Sequence, residues 1–253
     1  MIFIDAIFAY ELNLWQWGAV LLCSMLIGAI KSGLAGAGLM YVPILASIFG
    51  GKPSTGFILP ILLMADIFAV IYYNRHANWS YLVRLLPWTI AGVFIGVFVG
   101  HSLNSTQFNN LLAGMIIIGV ALMLWRDFKR EDLKIPNYWW FTAIMGLAGG
   151  FTTMVGNAAA PIMIISFLSQ RLPKNIFIGT GAWFYLIVSS IKLPLHIFVW
   201  KTITLQLFVF NITQLPIVLL GAFFGVKIVK LFSEKVYKTI LIVTTLATAI
   251  LLF

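Results

Sequence analysis

Gly149-Gly150-Phe151-Thr152-Thr153-Met154-Val155-Gly156-Asn157-Ala158-Ala159-Ala160-Pro161 sets small and polar residues between two apolar runs. Inside a helix Gly costs about 1 kcal/mol and Pro about 3 kcal/mol relative to Ala, so this stretch reads as the tip of a broken helix. A looser counterpart, Lys31-Ser32-Gly33-Leu34-Ala35-Gly36-Ala37-Gly38 followed by Pro43, lies in the first half. The chemistry open to such tips is capture of an anion by the main chain. Where a second helix starts at a tip, its free N–H groups and positive dipole end are presented there. Gly36, Gly38, Gly156 and Ala158 let an oxyanion approach the backbone, Thr152 and Thr153 offer hydroxyls, and Asn157 either caps its helix or contacts the ligand. The preceding helix ends at the same tip, and its negative end partly offsets this field. Close helix packing is the competing use of glycine in membranes, and it is the better reading for Gly92, Gly96, Gly221 and Gly225.

Of the seven acids, only Asp66 lies inside an apolar segment. A carboxylate there is expensive and by default functional, as a proton carrier or as the partner of a buried cation such as Lys31. A purely structural ion pair and an acid held protonated are equal alternatives. Asn211, Gln214 and Trp183 are candidates for lining a cavity, with interhelical hydrogen bonding or packing as the alternative. His76, His101 and His196 sit at segment ends without metal-ligand spacing and read as interfacial, so no metal site is expected. Cys23 is the single cysteine, which excludes an intramolecular disulfide and a thiolate cluster. No Gly-x-Ser-x-Gly elbow, histidine cluster or pair of intramembrane acids points to an enzyme. No Gly-x-x-x-x-Gly-Lys-Ser/Thr loop binds a nucleotide, and no cofactor is expected.

The elements that must hold these residues are membrane helices. The chain is 62% hydrophobic and 9% charged over 253 residues, against roughly 45–50% apolar and about 25% charged in a soluble domain. Its formal charge of +9 is therefore a question of which loops carry the basic residues, with the lipid bilayer rather than nucleic acid as the partner. No Lys or Arg precedes residue 31, so the first apolar run lacks a signal's basic region and is expected to stay in the mature protein. Ten apolar segments form two sets of five: 14–30, 37–49, 57–73, 82–100 and 108–125, then 138–148, 158–168, 176–191, 203–229 and 236–253. Segments 37–49, 138–148 and 158–168 are too short to span about 30 Å of hydrocarbon. Each set is thus expected to open with a pair of short helices joined by a Gly-rich tip, buried in protein or lining a wet cavity.

Landmarks recur in order. Gly33-Leu34-Ala35-Gly36 matches Gly146-Leu147-Ala148-Gly149 at an offset of 113, Pro53 and His76 match Pro173 and His196 at 120, and Pro87, Gly92 and Gly96 match Pro216, Gly221 and Gly225 at 129. If each opening pair returns to its starting side, the halves are inverted. Twelve of the sixteen Lys and Arg then share one side; Lys52, Lys192 and Lys201 face the other, and Lys31 stays near a tip. Only that arrangement obeys the positive-inside rule. It predicts an all-α polytopic membrane protein of two inverted five-segment repeats: residues 1–126, a cytoplasmic linker 127–137, and residues 138–253. Both termini fall on the non-cytoplasmic side.

The same stretches resemble the sulfite exporter TauE/SafE family. The likeness runs from the Gly-rich stretch 33–43, through Leu59-Pro60 and Ala65-Asp66-Ile67, to Thr152-Thr153-Met154 and Asn157-Ala158-Ala159-Ala160-Pro161. It continues in Leu172-Pro173-Lys174 and in Gly179-Thr180-Gly181-Ala182-Trp183-Phe184. Where many members read Gly-x-Gly-Gly-Gly, this chain has Gly36-Ala37-Gly38 and Gly156-Asn157-Ala158. The resemblance implies a permease of the bacterial plasma membrane for sulfite, an organosulfonate or a related small anion, with export the expected direction. A proton-coupled importer of another small organic anion is the alternative, and a homo-oligomer is compatible with either.

Overall fold

The computed structural model describes residues 11–33, 41–73, 75–128, 138–231, 233 and 236. Gly36 and Gly38, linker residues 129–137 and segment 237–253 lie outside the described residues. The described chain is all helix: α1 Leu14–Lys31, α2 Tyr41–Phe49, α3 Gly51–Tyr73, α4 Trp79–Ser102, α5 Ser105–Phe128, α6 Trp139–Gly156, α7 Ala160–Ser169, α8 Lys174–Pro194, α9 Leu205–Thr213 and α10 Leu215–Leu231. A π-helical turn, Leu195–Val199, continues α8. Among the described residues four helical stretches are long and apolar enough to cross a membrane, and α9 with α10, bent by 49°, is either a broken fifth span or a re-entrant pair. Pro216, in the first turn of α10, cannot donate to the ladder, which explains a break in one apolar run. Burial is inverted relative to a soluble protein: Leu14, Phe98, Phe198 and Leu231 are exposed, while Asp66, Lys192, His196 and Asn211 are fully buried.

The expectation that helix 138–148 stops at its glycines is wrong. α6 runs for 18 residues through Gly149 and Gly150 to Gly156, so only the second member of each opening pair is short, 9 residues in α2 and 10 in α7. The reason is that Gly146 and Gly150 are sites of close approach. A Cβ on Gly150 would meet the Thr89 carbonyl oxygen, and one on Gly146 the backbone and side chain of α4 at Leu85 and Trp88. Packing of α4 on α6 offsets the helix propensity lost at each glycine. Away from water, an opened peptide group has no substitute partner, so the ladder persists. The helix breaks instead at Asn157, in the left-handed region at φ 52°, which Asn tolerates better than most residues.

A second seam repeats this contact. On α1 packed against α10, a Cβ at Gly28 would meet the Val218 carbonyl oxygen, and one at Gly221 the Met25 carbonyl. On α4 against α6, Gly92 stands in the same way against Leu147. Thr89 and Val218 are 129 positions apart, as are Gly92 and Gly221; Gly28 and Gly150 are 122 apart, as are Met25 and Leu147. The seams therefore match Gly28 with Gly150, not Gly33 with Gly146 as the short Gly-x-x-Gly match suggests. Between the seams α3 and α8 pack antiparallel: Gly56, early in α3, abuts Thr202 beyond α8, and Gly179, early in α8, abuts His76 beyond α3.

Gly28→Ala and Gly150→Ala should each lower the thermal midpoint of the detergent-purified protein by about 5 °C, an overpacking cost of about 2 kcal/mol. Gly18→Ala and Gly114→Ala, where a new Cβ meets nothing within 4 Å, should hold or raise it. Equal responses at the two pairs would refute the seam argument.

Candidate functional site

α8 carries a polar stripe in an apolar helix. Tyr185, Ser189 and Lys192 are spaced four and three residues apart and so fall on one helical face. That face turns toward α3, the end of α1 and the bend between α6 and α7. Lys31, the last residue of α1, forms an ion pair with Asp66 of α3 at 2.9 Å, and its amine lies 3.8 Å from the centre of the Tyr185 ring. Ser189 donates to Asp66 Oδ2 at 3.0 Å. Asp66 is thus held between Lys31 and Ser189.

Sequence reasoning missed Lys192. Its place after the last residue of segment 176–191 made it a loop cation, but α8 continues to Pro194 and the residue is fully buried. Its Nζ donates to the Thr153 carbonyl at 2.6 Å, to Asn157 Oδ1 at 2.5 Å and to Thr153 Oγ1 at 3.3 Å. The signal was available in the Tyr185, Ser189, Lys192 spacing.

Lys192 changes the electrostatics of the bend. The carbonyls at the end of α6 form its negative pole, and a cation there is favourable. With Lys192 on the Thr153 carbonyl, that pole is neutralised and no longer cancels the positive start of α7. The start of α7 has no side-chain cap and carries Pro161 in its first turn.

A cavity of about 60 Å³ lies at this junction. Lys31, Gly33 and Tyr41 line it from the first half, and Thr153, Asn157, Ala160, Tyr185 and Ser189 from the second. Tyr41 Oη donates to the Asn157 carbonyl at 3.5 Å, tying the start of α2 to the second bend.

Of the residues expected at the site, Thr153, Asn157, Lys31 and Asp66 come together. Asn157 does so as a structural clamp: Oδ1 accepts from Lys192 and Nδ2 donates to the Thr55 carbonyl at 3.2 Å, while the residue terminates α6 and does not cap α7. Thr152 is turned back into its own helix, donating to the Ala148 carbonyl at 2.8 Å. Gly156 is a packing site, where a Cβ would meet Leu112, and Ala158 is buried with the apolar core around α3. Asn211, Gln214 and Trp183 are not among the residues lining this cavity. Asn211 donates to the Phe57 carbonyl at 3.0 Å, Gln214 to Thr213 Oγ1 at 3.2 Å, and Trp183 packs its ring 5.0 Å from that of Trp79. His196 is not interfacial either: it is fully buried, with Nδ1 2.8 Å from Thr202 Oγ1.

Lys31, the hydroxyl-bearing Tyr41, Thr153, Tyr185 and Ser189, and the uncapped start of α7 thus border one small space. A family model, sulfite exporter TauE/SafE, matches residues 20–252. No curated protein and no solved structure matches the chain. With apolar spans, a buried polar junction and a family match over nearly its whole length, the chain belongs to the sulfite exporter TauE/SafE family of membrane permeases.

Proposed function

We propose that this protein is a secondary transporter carrying a small sulfur oxyanion across the bacterial plasma membrane, and that sulfite is a better fit than an organosulfonate. The observation that carries the reading is the junction itself, where Lys31 lines the cavity and Lys192, a buried basic residue, bonds Thr153 and Asn157 of the cavity wall. The small volume favours a solute of few heavy atoms. Export is the favoured direction: an anion leaving a cell that is negative inside gains about 2.3 kcal/mol per 100 mV, enough to move it against more than a tenfold gradient. Asp66, tied to Lys31 and Ser189, gives proton-coupled import no support.

The working unit is two inverted repeats, 1–126 and 138–253, joined by the cytoplasmic linker 127–137, with both termini outside. Three observations support this. The first helix of each half packs on the fourth segment of the other through the same glycine-to-carbonyl contact. The matching helices α3 and α8 run antiparallel, as a two-fold axis in the membrane plane requires. At one end of the bundle His76 abuts Gly179 of α8, and Lys230 lies 5.2 Å from the centre of the Tyr72 ring, so the basic ends of these helices gather there. Cysteines introduced at Ser80 and Glu131 should label from the same face of the membrane; labelling from opposite faces would exclude the inverted arrangement.

The function is tested in proteoliposomes. Sulfite flux should be saturable and should fall at least about tenfold in Asn157→Leu, since Lys192 and the Thr55 carbonyl lose a partner. Flux unaltered by that substitution would remove the bend from the transport site.

A further inference from the structure

A separate cavity, of about 220 Å³, lies between the starts of α4 and α6 and shares no lining residue with the one at the bend. The two helices run in the same direction, with Gly146 seated against Leu85 and Trp88 and Gly150 against Thr89, so Arg84 of α4 comes beside Tyr138 and Trp139 at one end of the bundle. This end of the seam faces lipid. Val83, Trp88, Ile95 and Phe98 are exposed along α4, as are Trp139 and Ile144 on α6, and the aromatic residues at the helix starts mark the level of the headgroups. Among the described residues lining the cavity, Arg84 alone is charged. Its side chain turns back toward the start of α4, where Nε donates to the Ser80 carbonyl at 3.0 Å, the posture of an arginine reaching from the apolar layer to the interface. That bond leaves both terminal amino groups without a partner among the described residues. A guanidinium keeps its proton in proteins, so the charge is fixed. Residues 129–137, which lead into α6, carry three basic and two acidic residues and bring no net negative charge to this end.

We propose that this cavity binds the headgroup of an anionic phospholipid from the surrounding leaflet, with the terminal amino groups of Arg84 on the phosphodiester and Trp88, Tyr138 and Trp139 enclosing the glycerol. The planar fork of a guanidinium suits two oxygens of one phosphate. A headgroup of net charge −1 neutralises Arg84, whereas a zwitterionic one brings a second cation to it. The exposed apolar faces of α4 and α6 continue from the cavity and receive the acyl chains, a contact that a soluble phosphate does not make. The site is independent of the sulfite reading, since neither Arg84 nor its aromatic neighbours border the cavity at the bend.

Native mass spectrometry of the full-length protein, exchanged into mixed micelles of phosphatidylglycerol and phosphatidylcholine with matched chains, tests this. Phosphatidylglycerol should be retained about fivefold over phosphatidylcholine, the preference that one basic residue confers at a lipid surface. Arg84→Gln should lose that preference, and Arg171→Gln, at another exposed arginine, should keep it. Excess inorganic phosphate should leave the retained lipid in place. Equal retention of the two lipids by the unaltered protein, or a preference that survives Arg84→Gln, would overturn the site. Loss of the preference in Arg171→Gln as well would reduce it to a general effect of charge, and displacement of the lipid by phosphate would give Arg84 to a soluble anion; either would overturn the lipid as its occupant.

Discussion

Lys192→Met should reduce sulfite flux in proteoliposomes by at least about 100-fold while the protein still inserts and unfolds cooperatively. Met matches the length of the Lys stem but donates nothing. Two effects then coincide. The Thr153 carbonyl and Asn157 Oδ1 lose a charged donor, each such bond contributing about 1.5–3 kcal/mol. The negative end of α6 also regains its opposition to the start of α7, so the field that would hold an anion weakens. A combined loss near 3 kcal/mol corresponds to roughly 100-fold in binding. Lys192→Arg should not restore flux, because a planar guanidinium cannot reproduce three convergent contacts made by one nitrogen. Flux in Lys192→Met above a tenth of the original value would show that this cation supports the fold and not the solute.

The second large effect concerns stability. Asp66→Asn should destabilise the protein by about 3–5 kcal/mol, because it leaves Lys31 with no counter-charge in the bundle interior. Replacing both partners, Lys31→Met with Asp66→Leu, should recover most of that loss. The double change removes the desolvation cost of both ions along with their attraction. Thermal or denaturant unfolding of the single and double variants closes the cycle. A double variant no more stable than Asp66→Asn would mean that the pair is needed for packing at the α1, α3 and α8 junction and not merely for charge balance.

Much of the architecture was legible in the chain because hydrocarbon imposes simple rules. Apolar length marked α1, α4, α5 and α8 within about three residues and α3 except for its first turns, and the lone carboxylate at Asp66 had a buried cation such as Lys31 as one of its open readings. Glycines at Gly92, Gly96, Gly221 and Gly225 indicated close packing, as their positions against α6 and α1 bear out. Propensity misled at Gly149 and Gly150. The cost of glycine in a helix is a local quantity, whereas the gain from seating Thr89 against Gly150 depends on a helix about sixty residues away in the chain.

Composition and spacing by themselves determined that this is a helical membrane protein with a buried acid and a bend in the stretch of small residues around Asn157, since each follows from the solvation of individual residues in a bilayer. Which polar residues share a site was decided only by the tertiary structure. Lys192 reads as a boundary cation until α6 ends at Asn157 and offers it carbonyl oxygen, and Asn211 reads equally as a cavity residue or an interhelical hydrogen-bonding one until the Phe57 carbonyl engages it. The reason is physical. A buried polar group takes the partner that folding brings within hydrogen-bond distance, and those partners, Thr153 for Lys192 and Phe57 for Asn211, lie 39 and 154 positions away.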